Sequence, residues 1–437
     1  HSFEALDRLL CEQNYRLASW RVAAEEINYR RFFDINQLAA IRMEWPQVFE
    51  HAHEKLATLL HEGKVQALRL DHTDGLYDPR GYFEQLQRRF VNGLSSPDER
   101  DNPDDRARPL PLLVEKILEP HEPMRSDWAV DGTTGYEFGN AVLGLWVDPA
   151  AERTFTQLYR ETTGDARSFQ EHVYEAKRLV LKGSFASQVN MMAQTLVAIA
   201  SGQRRHRDFT WGSLKRALVE TLAAFPVYRT YLREGEPVSD VDLACIESAI
   251  REARGRDPEL DPGIFHFLQE LLTLRHLPSR EEQADHTRFA LRFQQLTGPV
   301  TAKAVEDTAF YRYGRFICLN EVGGLPSKFG ANIDEFHGQN ATRARSFPLS
   351  MVSASTHDSK RGEDAAARLA VLSEMPQRFR ACVQRLRALM RADTGEGSPR
   401  ISSGDEYLFY QTAFSTWPLA WDGEHERGQL SERLVAT

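Results

Sequence analysis

Three short runs constrain this chain most: Leu68-Arg69-Leu70-Asp71-His72, Leu113-Val114-Glu115 and Thr356-His357-Asp358. Each closes a strand-like apolar segment with an acidic residue. Strands that end in this way predict carboxylates gathered at the C-terminal mouth of a β/α barrel, the face on which barrel enzymes carry out their chemistry. Paired carboxylates there point to work on a glycosidic bond.

The surroundings of the first run read as a β/α unit. Pro46 stands at a first helical position, and Val48, Phe49, Ala52, Leu56, Leu59 and Leu60 follow at helical spacing, with Gly63 as the stop. A strand is predicted over Val65 to Leu70, then a loop over His72 to Tyr77. Asp78-Pro79 opens the next helix, with an apolar stripe of Tyr82, Phe83, Leu86 and Phe90. Leu110 to Leu118 is the second predicted strand. The charged, proline-rich stretch Pro97 to Pro109 before it reads as a solvated loop. From about Ala150 to about Ala290 the texture changes to long helical patterns, such as Val238 to Arg254, which predicts a helical insertion. Strand texture returns at Phe316-Ile317-Cys318-Leu319 and over Phe347 to Ser355. An amphipathic helix built on Phe379, Cys382, Val383, Leu386, Leu389 and Met390 follows.

With 437 residues the chain exceeds what one core usually organises. A net charge of -9 argues against a nucleic-acid partner, whose binding rests on Lys and Arg neutralising phosphates; a neutral substrate suits it better. No apolar run is long enough to span a membrane and no signal peptide is visible. The four scattered cysteines, Cys11, Cys245, Cys318 and Cys382, predict free buried thiols and a cytoplasmic protein. No cofactor is implied, since neither a phosphate-binding glycine loop nor a dinucleotide fingerprint occurs. Asp71, His72 and Asp74 lack the ligand count of a calcium loop, so no metal is expected.

Strand alternation puts Val65, Ala67, Arg69 and Asp71 on one face and Leu68 and Leu70 on the other. With the leucines packed on outer helices, Arg69 and Asp71 point together into the mouth. A guanidinium there orients the carboxylate as a nucleophile needs, although a structural Arg/Asp pair would show the same pattern. Glu115 ends an apolar strand, where desolvation raises its pKa and suits it to protonate a leaving oxygen; pairing with Lys116 is the alternative. His357 and Asp358 can hydrogen-bond sugar hydroxyls, with Asp358 favouring positive charge on the ring. The loop from Trp128 to Phe138, with Trp128, Tyr136 and Phe138, is a candidate cover for a bound glucose.

The order Arg69-x-Asp71, Glu115, His357-Asp358 resembles the α-amylase superfamily of glycoside hydrolases. Denser blocks resemble its maltooligosyltrehalose synthase subgroup. These are Asn28-Tyr-Arg-Arg-Phe-Phe-Asp34, Leu68 to Leu76, Asp131-Gly-Thr-Thr-Gly-Tyr136, Val227-Tyr-Arg-Thr-Tyr231, Ala302-Lys-Ala-Val-Glu-Asp-Thr308, Asn320-Glu-Val-Gly-Gly324 and Ser355-Thr-His-Asp-Ser-Lys-Arg361. Ala304 and Ser359 stand where the subgroup pattern has Gly and Thr.

The resemblance implies an α/β fold, part of a (β/α)8 TIM barrel from about the fourth strand onward, with a large helical insertion. The expected division is 1–149 and 291–437 as barrel portions around an insertion at 150–290. It implies Asp71 as nucleophile, Glu115 as general acid/base and Asp358 as transition-state stabiliser, with Arg69 holding Asp71 and His357 binding the sugar in the cleavage subsite. His72, Asp74, Tyr136, Arg229, Lys303 and Glu306 are implied in the substrate pocket. The implied reaction converts the reducing-end α-1,4 bond of a maltooligosaccharide into an α,α-1,1 bond. A retaining α-glucan hydrolase and an inactive piece of a synthase are the alternatives. The superfamily's earlier Asp-x-x-x-Asn-His motif is missing, so a preceding N-terminal barrel segment is expected as a partner in closing the barrel.

Overall fold

The computed structural model describes residues 3–90, 110–119, 122–275, 280–393, 401–418 and 427–432. The Pro97 to Pro109 loop lies outside them. Two compact units divide the chain: His1–Ile41, Lys177–Phe225 and Leu232–Leu296 form one, and Arg42–Ala176, Pro226–Tyr231 and Thr297–Thr437 the other.

The first unit is helical apart from a small antiparallel pair, β1 (Arg31–Phe32) and β2 (Ile35–Ala39). Its helices Ala186–Gly202, Trp211–Ala223, Asp240–Arg256 and Pro262–Leu272 turn their apolar stripes onto one another, burying Leu196, Leu218, Ile246 and Phe265. Thr210 and Ser213 cap the second of these reciprocally, satisfying backbone donors that a helix start leaves open. Among the described residues from 150 to 290 no strand occurs.

The second unit holds the three-stranded parallel sheet β3 (Leu68–Leu70), β4 (Leu112–Val114) and β5 (Gly132–Thr133), in that order. The helix Pro46–His61 begins where its proline allows. It ends as Gly63, with φ +68°, and Lys64 return their N–H groups to Leu60 and Leu59. Together with the helix Pro79–Phe90 it buries Phe49, Leu60, Leu86 and Phe90 against Leu110 and Leu112. Leu68 and Leu70 pack onto this cluster, which leaves Arg69 on the opposite face; Val65, expected on the Arg69 face, packs onto the cluster too, since the strand begins only at Leu68 and alternation does not reach it. Replacing a fully buried leucine in such a cluster by alanine costs roughly 2–5 kcal/mol.

The strands are shorter than their apolar runs. The ladder pairs Leu68 with Leu112 and Leu70 with Val114, with one further bond at each end, Leu68 N–H to the Pro111 carbonyl (2.9 Å) and Glu115 N–H to the Leu70 carbonyl (2.8 Å). Two expected strands are absent. Phe316 to Leu319 contains a buried 3-10 turn, Ile317–Leu319. Phe347 to Ser355 is irregular, although it lies along β5: Met351 N–H donates to the Thr133 carbonyl (3.0 Å) and Thr133 N–H to Ser350 Oγ (3.2 Å). Apolar texture reports burial in the first segment and not in the second, where Leu349, Met351 and Val352 are exposed, and strand geometry needs a continuous ladder in either case. The close approach depends on glycine. A Cβ on Gly132 would lie 2.3 Å from Ser350 Oγ, and one on Gly135, whose φ is +90°, 2.3 Å from the Met351 carbonyl. The cysteines are all free, but only Cys318 is buried; Cys11 and Cys382 are exposed, contrary to expectation.

Candidate active site

β3 and β4 are parallel and in register, so the residues just past their ends come level: Asp71 after Leu70, Glu115 after Val114. Glu115 N–H still donates to the Leu70 carbonyl (2.8 Å), carrying the ladder one bond past the strand and holding the two acids on neighbouring exits. Arg69, two residues before Asp71 on the same face, donates from a terminal guanidinium nitrogen to Asp71 Oδ1 (2.5 Å). His72 sits in the left-handed region, φ +49°, and from there its backbone N–H bonds Glu115 Oε2. Thr73 Oγ1 donates to the Glu115 carbonyl (3.0 Å).

Burial pushes the Glu115 carboxyl up to about 7. The His72 N–H works against this, the charges of Asp71 and Asp358 add to it, and Arg69 opposes. The desolvation expected from sequence is thus the dominant cause. Asp358 arrives on the loop after Ser355. It accepts from Tyr136 Oη (2.5 Å) and lies 3.3 Å from His357 Nε2. The phenol in turn is raised by burial, the Asp358 bond and the charge of Glu115. Asp71, Glu115, Asp358, Arg69 and Tyr136 therefore act on one another electrostatically around one site.

Glu321 steadies the loop bearing Asp358, accepting from the N–H groups of Lys360 (2.6 Å) and Arg361 (3.2 Å). Among the carboxyls, Glu306 was singled out in the sequence and Glu321 was not, though its Asn-Glu-Val-Gly-Gly block is distinctive. Glu306 lies in a π-helical turn, Val305–Ala309, bonded by Tyr228 Oη. Burial raises it to about 7, Tyr228 and Lys360 pull the other way, and Asp307 and Glu115 add to the rise. Such turns recur at functional sites because they re-aim side chains within a helix. Lys303 Nζ pairs with Asp307 (3.2 Å).

Three of the residues singled out in the sequence are held by protein partners. Arg229 is buried, its guanidinium donating to the carbonyls of Asp74 (2.6 Å) and Leu76 (2.7 Å), so it braces backbone. Asp74 is held by Tyr231 Oη (2.5 Å) and lies 3.6 Å from Lys116 Nζ. Trp128 is buried between the rings of Phe83 and Tyr231, with centroids at 5.1 and 4.8 Å, so it belongs to the core and not to a cover. Only Tyr136 of the three proposed covering aromatics bonds one of the three acids.

No family model matches the chain. A search of curated proteins finds two relatives from Mycobacterium tuberculosis strains, provisionally named maltooligosyl trehalose synthases. Each is 34% identical over 408 residues, which is 93% of this chain and 46% of the relative. Among solved structures, the maltooligosyltrehalose synthase from Arthrobacter ramosus superposes with a TM-score of 0.79 at 33% identity, covering 98% of this chain and 52% of that one. In sequence and in fold, this chain is similar to the maltooligosyltrehalose synthases over about half of their length. A structure titled DSM5389 glycosyltrehalose synthase matches at TM-score 0.72 and 31% identity, over 100% of this chain and 49% of its own. The chain thus spans about half the length of the synthases it resembles. Among the described residues no helix is long and apolar enough to cross a membrane.

Proposed function

We propose that this chain carries the catalytic carboxylates of a maltooligosyltrehalose synthase, a (1->4)-alpha-D-glucan 1-alpha-D-glucosylmutase. In this reading β3, β4 and β5 are successive strands of a TIM barrel, beginning at about its fourth, and the substrate is a maltooligosaccharide in the cytoplasm. The observation that carries it is the level pair Asp71 and Glu115 on adjacent parallel exits, with Asp358 acting on Glu115 from a third segment.

Asp71, oriented by Arg69, attacks the penultimate anomeric carbon, while Glu115 protonates the oxygen of the departing terminal glucose. A covalent glycosyl-enzyme with inverted anomeric configuration results, and a second inversion at the same carbon restores it, the double displacement that two carboxyls about 5–5.5 Å apart support. The glucose turns over and offers its own anomeric hydroxyl to Glu115, now a base, and that oxygen displaces Asp71 from the anomeric carbon as the α,α-1,1 bond forms. A carboxyl near 7 suits both halves of this cycle at neutral pH: it is protonated often enough to donate and ionised often enough to accept. Asp358, with His357 beside it, stabilises the positive charge developing on the ring. Lys303, Glu306 and Tyr136 supply polar groups for the sugar. Water must be excluded during the turnover, or hydrolysis takes over.

The test is incubation with maltopentaose. Loss of reducing ends without matching glucose release supports isomerisation; stoichiometric glucose release identifies a hydrolase and overturns the reading.

A further inference from the structure

Beneath the Asp71 and Glu115 exits lies a buried charge cluster for which the proposed reaction has no use. Lys116 Nζ, 1% exposed, sits 3.1 Å from Glu122 Oε1 and 3.6 Å from Asp74 Oδ2, donates to the Ile117 carbonyl (2.6 Å) and lies 5.8 Å from the centroids of both Tyr228 and Tyr231. Burial works against its charge, and the carboxylates of Asp74 and Glu122 more than offset that. Tyr231 Oη holds the other Asp74 oxygen, and Arg229 grips the Asp74 and Leu76 carbonyls. The contacts of Lys116, Tyr231 and Arg229 with Asp74 and Leu76 converge on the turn after β3.

That turn is costly to maintain. His72 is a non-glycine residue at φ +49°, and its imidazole folds back over Gly75, where a Cβ would come within 2.4 Å of the ring. A strained turn persists only when its surroundings over-determine it. What this one delivers is a single backbone N–H placed on Glu115 Oε2.

We propose that Asp74, Lys116, Arg229 and Tyr231 are positioning residues, a buried clamp that holds the His72 N–H on the Glu115 carboxyl and so sets how tightly that carboxyl keeps its proton. The inference deepens the synthase reading and rests on it for the meaning of Glu115. The clamp acts from below. The other groups that face Glu115 are Arg69 and Asp71 from the β3 exit, Asp358 from its loop, Tyr136 from the start of its helix and Glu306 from the π-helical turn. A fixed N–H favours the carboxylate, so loosening the turn raises the pKa of Glu115.

The experiment titrates the chain labelled with carboxyl-13C glutamate by NMR, with Glu115→Gln assigning the signal. Tyr231→Phe removes one hydroxyl and keeps the ring. The expected result is a Glu115 midpoint raised by about one pH unit, the scale of one weakened hydrogen bond to a charged group. Asp74→Asn, which keeps an acceptor for Tyr231 and loses the attraction to Lys116, moves the midpoint the same way and serves if Tyr231→Phe does not fold. An unchanged midpoint in a folded variant overturns the clamp. The readout needs no turnover, so a chain that fails the maltopentaose test and still shows the shift refutes the synthase reading alone.

Discussion

Replacing Glu115 by glutamine should stabilise the protein, and only above a definite pH. Held at about 7 against an ordinary 4.5, this carboxyl binds its proton more tightly in the folded state than in the unfolded one. Between those values the native state therefore carries more protons, and linkage makes stability fall as pH rises through the window. At about 1.4 kcal/mol per pH unit the span from 4.5 to about 7 sets a ceiling of about 3 kcal/mol; residual contact with solvent brings the expected loss nearer 2 kcal/mol. Glutamine carries no charge to desolvate, and its amide oxygen can still accept from the His72 N–H. The assay is urea unfolding of both proteins from pH 4 to pH 8.5. Their difference should be small at the acid end, grow in favour of Glu115→Gln up to about pH 7 and then level off. A difference constant across the window would refute the reasoning, because it would mean that Glu115 titrates alike in the folded and unfolded chains. The same variant should have no synthase activity, so that the site trades stability for function.

Arg69→Met should lower kcat/KM on maltopentaose by about a hundredfold or more, since Asp71 loses its orienting partner and Glu115 loses a cation that favours its ionised form; a change under threefold would count against a role for Arg69. Gly135→Ala should destabilise the fold by roughly 2 kcal/mol or more, because the new Cβ meets the Met351 carbonyl and φ is +90°, and calorimetry checks it. Leu86→Ala should cost roughly 2–5 kcal/mol in urea unfolding without altering the pH dependence of the Glu115 midpoint, since it opens a cavity in the helix-sheet cluster away from the site.

Much of the site was legible in the sequence because strand geometry is local. Alternation alone put Arg69 and Asp71 on one face and the two leucines on the other, and the apolar strand before Glu115 announced a desolvated carboxyl. Helix starts were equally plain: Pro46 and Asp78-Pro79 mark the first turns of Pro46–His61 and Pro79–Phe90. The failures share a cause. Phe316 to Leu319 is apolar because it is buried, Phe347 to Ser355 lies beside β5 with Leu349, Met351 and Val352 exposed, and apolar texture says nothing about whether a neighbouring segment completes a ladder. Arg229 sits in a distinctive block and Trp128 in an aromatic loop, yet the same residue types serve a binding surface or an interior, and only their neighbours decide which.

The chain's own order of residues therefore determined which groups can do chemistry and where backbone turns must fall, through periodicity and capping that act over a few residues. Tertiary structure alone decided which of those groups meet. The in-register pairing of β3 with β4 made Asp71 and Glu115 level, and residues 228–231 closed over the turn that aims His72. Contacts between residues far apart in the chain depend on how elements pack, and packing is a property of the whole folded unit that no local pattern encodes.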